Sequence, residues 1–212
     1  MEVITVNGQS RTELGKKHTK AVRREGKIPC VMYGGDEVIH FTLDFLDVRD
    51  LIYTPDFKMA EVSIDGQTHK CILKDYQMHP VSEQILHIDF LRLVEGHTVK
   101  VNIPIRFKGT PAGVKEGGKL QQSLRRALIK TTPEHLVGEL LVDVSGLNLG
   151  QAVRVRDIET DDNIELLTAP SVPVASVQVP RALRSASTLA EEEAGLPAEE
   201  AEEEAGEEVE ES

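Results

Sequence analysis

The sequence predicts a mainly β fold in two separately packed parts, followed by a disordered acidic tail. Short runs rich in β-branched residues recur through the chain with turn residues between them, the spacing of an all-β sandwich or barrel. The aromatic residues are lopsided: Phe41, Phe45, Phe57, Phe90, Tyr33, Tyr53 and Tyr76 precede residue 93, and only Phe107 follows, so a second core would be mostly aliphatic. From about Pro180 the chain becomes an Ala/Glu-rich run, AEEEAGLPAEEAEEEAGEEVEES, in which like charges repel and little apolar remains to bury.

The elements follow in order. EVITV opens the chain as a strand. In GKKHTKAVRREGKIP, Lys16, Lys20, Arg23 or Arg24, and Lys27 recur at the period of one helix face, with Ala21 and Val22 partly off it and available for docking. Gly26 is placed to stop this helix and Pro29 to prevent its continuation, while Gly15 leaves its entry loose. IPCVMYGG reads as a short buried strand ending in a Gly-Gly turn, and VIHFTLDF as the next strand. LDVRDLIY has helical spacing through Leu46, Asp50 and Tyr53. Asp65-Gly66, between AEVSI and QTHKCILKD, is a strong hairpin signal. QILHIDFLRL is a strand with His87 and Asp89 on one face and Leu86, Ile88 and Phe90 on the other.

The character changes around LVEGHT (93–98). VKVNIPIRFKG turns Val99, Val101, Ile103, Ile105 and Phe107 inward, and Pro104 implies an outward or edge position. TPAGVKEGGKL reads as a long Gly-rich connection. SLRRALIK, ELLVDVSGL and AVRVRDI are further strand candidates, although SLRRAL could instead be a helix, since six residues cannot fix a period. No internal repeat is evident.

Charge locates the function. The chain has 24 Lys+Arg against 36 Asp+Glu, and twelve of those acids, all Glu, follow Arg184. Residues 1–184 therefore balance 24 acids with 24 bases, and the tail carries the whole net charge of −12. Within that neutral body, residues 11–27 gather Arg11, Lys16, Lys17, Lys20, Arg23, Arg24 and Lys27 against Glu13 and Glu25, a local charge of +5. Such a field steers anionic partners whatever the global balance. The two cysteines, Cys30 and Cys71, lie in apolar runs without a CxxC pair and read as buried thiols of a reducing compartment. MEVITVNGQS lacks the basic and apolar regions of a signal peptide, and no run approaches the ~18 apolar residues of a membrane span. The expectation is a soluble, cytosolic protein with no membrane partner.

Enzyme chemistry has little to stand on. His79 and His87 are eight apart across a Pro80 turn, which is not a metal-ligand spacing, and His87 with Asp89 lacks a Ser or Cys nucleophile in a recognisable setting. Neither a phosphate-binding nor a dinucleotide-binding glycine motif occurs, and GGKL (117–120) is too short to count. No cofactor, metal or small-molecule substrate is expected. The basic patch is either a solvated helix face or an RNA-binding one. RNA is favoured because the bases share a face that could follow a phosphate path. In addition Tyr33, Gln77, His79, His87 and Asp89 fall on short nearby strands, where polar groups can meet 2′-OH and base edges.

RTELGKKHTKAVRREGKIPCVMYGG followed some forty residues later by DYQMHPVSEQILHIDF closely resembles the bacterial large-subunit ribosomal protein L-twenty-five family, which binds 5S ribosomal RNA. VNIPIRFKGTPAGVKEGGKLQQ and LLVDVSGLNLGQAVRVRDI look like the second domain of its long form, the general stress protein CTC type. The resemblance covers about residues 1–180. It implies an N-terminal β-barrel with short helices over 1–94, a C-terminal all-β domain over 95–180 and an acidic appendage over 181–212. It also implies no enzyme activity and a place in the large subunit's central protuberance, against the loop E region of 5S rRNA from its minor-groove side. Further partners would be 23S rRNA and neighbouring ribosomal proteins. Matched position by position, the RNA contacts would be Arg11, Lys16, Lys20, Arg23 and Tyr33 from the first block, and Gln77, His79, His87 and Asp89 from the second. Lys20 stands where the family carries Arg, and Arg24 is placed to compensate for Ala21. Asp89 cannot hold phosphate; it would accept from a base amino group or orient His87, or simply pair with Arg or His on the strand face. The other classes left open are a stress-related interaction protein acting off the ribosome and a metal or hydrolytic enzyme built on His79, His87 and Asp89.

Overall fold

In the computed structural model, which describes residues 1–180 apart from positions 36 and 162, the β-branched runs of the first ninety residues close into a barrel. The Glu-rich run expected to be disordered lies outside the described residues. The elements are β1 (Val3–Ser10), α1 (Lys16–Arg24), β2 (Lys27–Tyr33), β3 (Ile39–Asp44), α2 (Phe45–Ile52), β4 (Met59–Ile64), β5 (Gln67–Met78) and β6 (Ile85–Arg92). The strand order is β1-β3-β2-β6-β5-β4, and β1 shuts the barrel by pairing in parallel with β4 from Val3↔Met59 to Gly8↔Ile64. Inside lie Val6, Ile28, Cys30, Met32, Phe41, Leu43, Val62, Cys71, Ile88 and Phe90, with the Phe41 and Phe90 rings 5.8 Å apart. Each such large side chain taken out of water contributes about 1.5–3 kcal/mol. A Cβ on Gly8 would come within 2.8 Å of the Phe41 ring, so glycine is what lets β1 cross this core. Asp65 and Gly66 both adopt positive φ, 50° and 85°, which gives the β4–β5 hairpin the turn its Asp-Gly pair predicts.

The two helices appear where their periodicity places them, with a correction to the face of the first. Helix α1 stops at Arg24, where Gly26 takes φ 80° and donates its N–H to the Arg23 carbonyl. Lys27 is therefore the first residue of β2 rather than a fourth turn of the cationic face, and its Nζ donates to Gln9 Oε1 at 2.7 Å. The side that docks is His18, Thr19 and Val22, all half-buried; Ala21 is exposed. In α2 the buried residues are Val48 and Leu51, while Leu46 and Tyr53, expected on one face with Asp50, are 75% and 52% exposed. Strand β6 also departs from simple alternation. Its pairing with β5 slips between Gln77↔His87 and Met78↔Ile85, so Leu86 bulges and Ile85 takes the buried position expected for Leu86.

The second part runs β7 (Val99–Lys108), α3 (Ala112–Lys115), β8 (Lys119–Gln122), β9 (Arg126–Thr131), β10 (Leu140–Asp143), β11 (Ala152–Arg154), β12 (Glu165–Leu166) and β13 (Pro173–Gln178), with 3-10 turns at Pro133–His135 and Val155–Asp157. The strands form a sheet β10-β7-β9-β12 and a three-stranded sheet β11-β13-β8. SLRRALIK is thus a strand, and the expected Gly-rich connection contains a one-turn helix and β8. Val99, Val101, Ile103 and Ile105 are buried as the alternation predicts, and Phe107 half-buried. Pro104 is on an interior strand, but β10 pairs with β7 only from Ile105 onward, so the missing N–H falls where β7 has one neighbour.

The buried residues of this core are aliphatic, as the aromatic imbalance implies. The two cores are not separate, however. Ile72 of β5 is fully buried in the second one, and Phe57, Met59, Leu91 and Leu93 pack against it. The outer wall of the barrel thereby serves as a floor for the second set of sheets.

Candidate nucleic-acid interface

Four of the expected contacts come together on the outside of the barrel because β2, β6 and β5 are neighbours. Outward positions on β2 and β6 alternate with the core residues Met32, Ile88 and Phe90, which leaves Tyr33, His87 and Asp89 half-buried on the outer face. Gln77 of β5 lies directly opposite His87, and Asp75 directly opposite Asp89. His87 Nδ1 lies 2.7 Å from Asp89 Oδ1, a contact that ties the ring to the carboxylate. Of the readings open to Asp89, both the orienting role and simple strand-face pairing with a His are consistent with this contact. Partial burial, then the charges of Asp89 and Asp75, push the Tyr33 phenol above its ordinary pKa, so at neutral pH it remains an O–H donor.

His79 does different work. Its Nδ1 accepts from the backbone N–H groups of Val81 and Ser82 at 3.3 and 3.1 Å. The backbone N–H of His79 donates to the Gln84 carbonyl at 2.8 Å. The imidazole thus fastens residues 79–82 of the turn, and the backbone bond closes it at Gln84. Among the described residues no group of three or more His, Cys, Asp or Glu side chains is placed to hold a metal ion.

The cationic helix is fastened beside this strand face. Arg23 Nε donates to the Leu86 carbonyl at 2.9 Å, the group that the β6 bulge leaves without a ladder partner and that immediately precedes His87. Arg11, at the end of β1, donates NH1 to Thr19 Oγ1 at 3.3 Å and its backbone N–H to the His40 carbonyl at 2.9 Å. Its Nε is buried without a hydrogen-bond partner. Both arginines thus join elements of the fold, in contrast to the freely solvated bases a charge cluster suggests. Lys16, Lys17, Lys20 and Arg24 remain exposed on α1, and none is ion-paired among the described residues; the helix's one such pair is His18 with Glu13 at 2.5 Å.

Sequence reasoning passes over three groups here. Asp75 shares its face with Gln77, a period-2 signal the sequence does contain. Phe45 and Tyr53 meet edge-on at 6.2 Å and, with Arg23 and Lys27, line a hollow of about 420 Å³ between α1, α2 and the 79–86 turn. Only tertiary packing brings those two aromatics to the basic segment.

Residues 6–90 match the Ribosomal L25p family, and residues 98–181 match the C-terminal domain of ribosomal protein TL5. Large ribosomal subunit protein bL25 of Cytophaga hutchinsonii is 40% identical over 190 residues, covering 90% of this chain and 98% of that protein. The chain belongs to the ribosomal L25p family. The bL25 proteins of Bacteroides fragilis and Porphyromonas gingivalis are 37% and 36% identical over 195 and 189 residues, each again spanning nearly its full length. The two matches divide between the barrel and the paired sheets, so the chain has the long, two-part form of the family.

Proposed function

We propose that this chain is a structural, non-enzymatic protein of the large ribosomal subunit that binds 5S rRNA through its barrel. In this reading it works in the cytoplasm as part of the ribosome's central protuberance. Residues 1–94 form the RNA-binding domain, 95–180 the second β domain, and 181–212 an acidic appendage. The observation that carries the reading is the Arg23–Leu86 hydrogen bond. It sets a helix of exposed cations at a fixed place beside a strand face of Tyr33, Gln77, His87 and Asp89, so that phosphate neutralisation and base or 2′-OH reading act on the same RNA segment. Lys16, Lys20, Arg23 and Arg11 supply the charge; Gln77, the His79 and His87 rings, and the Tyr33 hydroxyl supply the discrimination. The family resemblance directs this face to the loop E region from its minor-groove side.

The test is a gel-shift titration of the full chain against 5S rRNA at two salt concentrations with transfer RNA as competitor. Tight, salt-sensitive binding that survives the competitor is expected. Binding that transfer RNA abolishes would reduce the site to a generic basic patch and overturn the assignment.

A further inference from the structure

A second concentration of positive charge lies away from α1, in a cavity of about 220 Å³ where the barrel meets the four-stranded sheet. Lys74, Asp75 and Tyr76 of β5 line one side, and Lys100, Asn102 and Arg126 of β7 and β9 the other. The cations around this cleft fall into two groups. Lys58 pairs with Glu2 at 3.0 Å, Arg106 pairs with Asp56 and with Glu139, and Lys130 pairs with Glu165 at 2.9 Å. Lys74, Lys100 and Arg126 have no ion pair among the described residues, and the one carboxylate lining the cavity without such a pair is Asp75, which accepts from the Tyr76 N–H.

Two contacts draw these cations together. Lys100 stands directly opposite Lys130 across β7 and β9, a like-charge pairing that disfavours the sheet. The Lys74 ammonium is held at the Lys100 carbonyl by a 2.8 Å hydrogen bond, which keeps a further cation next to Lys100. Three unneutralised cations lining one concavity focus the field on whatever anion enters. The guanidinium suits a phosphodiester, the two ammonium groups act as point charges, and Asn102 with the 40%-exposed Tyr76 ring adds polar and stacking surface.

The geometry points to this cleft as a second RNA-backbone site, in which Lys74, Lys100 and Arg126 hold phosphates of ribosomal RNA beyond the segment gripped by the barrel face. This rests on the reading under Proposed function. Charge and continuity select RNA as the occupant: the three cations without an ion pair outnumber the one such carboxylate, and β5, whose Lys74 and Tyr76 line the cleft, places Gln77 opposite His87 on the barrel face, so the two surfaces share a strand.

The experiment is directed hydroxyl-radical probing of the full chain assembled into large subunits, with iron-EDTA tethered to Lys100→Cys and, as control, to Lys16→Cys. Native Cys30 and Cys71 are fully buried, and burial pushes both thiols up, Cys71 to about 12, so the introduced thiol is the one that labels. Scission of ribosomal RNA from position 100 is expected, at nucleotides not cut from position 16. No scission from 100 while the control cuts 5S rRNA would overturn this inference and leave the barrel's function standing. Failure of both would overturn the proposed function and, with it, this site. In filter binding to the RNA that is cut, Lys100→Gln with Arg126→Gln is expected to reduce the salt slope by up to about 1.8, from ~0.9 per lost contact. An unchanged slope would place RNA near the cleft but not in it, and photocrosslinking from position 100 to an acidic protein segment would replace RNA as the occupant; either overturns the assignment.

Discussion

Lys16→Gln combined with Lys20→Gln tests the phosphate-binding helix without disturbing it. Both residues are exposed on α1, and neither is ion-paired among the described residues. Gln has nearly the helix propensity of Lys, so α1 should keep its docking through Val22, Thr19 and His18. If about five cations touch phosphates, log K against log salt falls with a slope of roughly −4, and each contact removed takes away ~0.9. The double variant should therefore show a slope near −2 to −2.5 and bind about 60-fold more weakly at 0.1 M salt. That loss corresponds to about 2.5 kcal/mol. The assay is filter binding of the full chain to 5S rRNA over a salt series, with the melting temperature recorded beside it. An unchanged slope with unchanged melting would refute the assignment of these lysines to phosphates. Arg23→Ala belongs beside it as a contrast: it removes a cation and also the bond to the Leu86 carbonyl, so binding and stability should fall together.

Three further outcomes follow from particular contacts. Asp89→Asn replaces a charged acceptor of the His87 Nδ1–H with a neutral one. A difference of about 1 kcal/mol in that bond predicts roughly fivefold weaker 5S rRNA binding, while transfer-RNA binding rises because a carboxylate has left the face; an unchanged ratio between the two RNAs would count against the orienting role. Gly118→Ala would set a Cβ 2.6 Å from the Gly113 carbonyl and from Leu149 and Val177 side chains, an overpacking worth about 1–3 kcal/mol and a drop of roughly 2–10 °C in Tm, with 5S rRNA affinity preserved. Burial and then the Arg92 charge hold the His69 imidazole below its ordinary pKa, so the unfolded chain takes up that proton first as pH falls. Stability is full above the free imidazole value of about 6.5 and is lost on acidification through it, so Tm should fall less between pH 7.5 and 5.5 in His69→Gln than in the wild type; equal falls would show His69 to be irrelevant.

What was legible in the sequence was local. The Asp65-Gly66 hairpin, the alternation from Val99 to Ile105 and the cationic period of α1 are each written within a dozen residues, and each is found. What was not legible depends on residues far apart. The parallel β1–β4 pairing that closes the barrel joins positions more than fifty residues apart, and no local pattern announces it. The inward face of α2 depends on which sheet it meets, so helical spacing finds the helix without telling which of its faces is buried. Ile72 reads as a barrel residue and is one by pairing, yet its side chain belongs to the second core. Strand β13, in a stretch broken by Pro170 and Pro173, carries too little alternation to stand out, although it is the central strand of its sheet. At the site, the residue types were readable and their attachments were not. Arg11 and Arg23 look like free bases in one dimension, and the fold ties both down.

That attachment bears on how a chain whose body is neutral can select one RNA. Residues outside 11–27 in the body are net acidic, and the barrel face itself places Asp75 directly opposite Asp89. Two carboxylates facing each other across a ladder disfavour the sheet and would repel a phosphate. Their presence argues that this face meets base edges and 2′-hydroxyls, which can donate to a carboxylate, and that the sugar-phosphate chain runs along α1 instead. The His87–Asp89 contact then occupies one carboxylate oxygen of the pair, and the Arg23–Leu86 bond sets the spacing between the two kinds of contact. An RNA whose groove does not fit that spacing gains the helix's attraction and meets the strand face's repulsion. Discrimination on this account comes from a distance set by the fold, since the charge of the helix would attract any RNA.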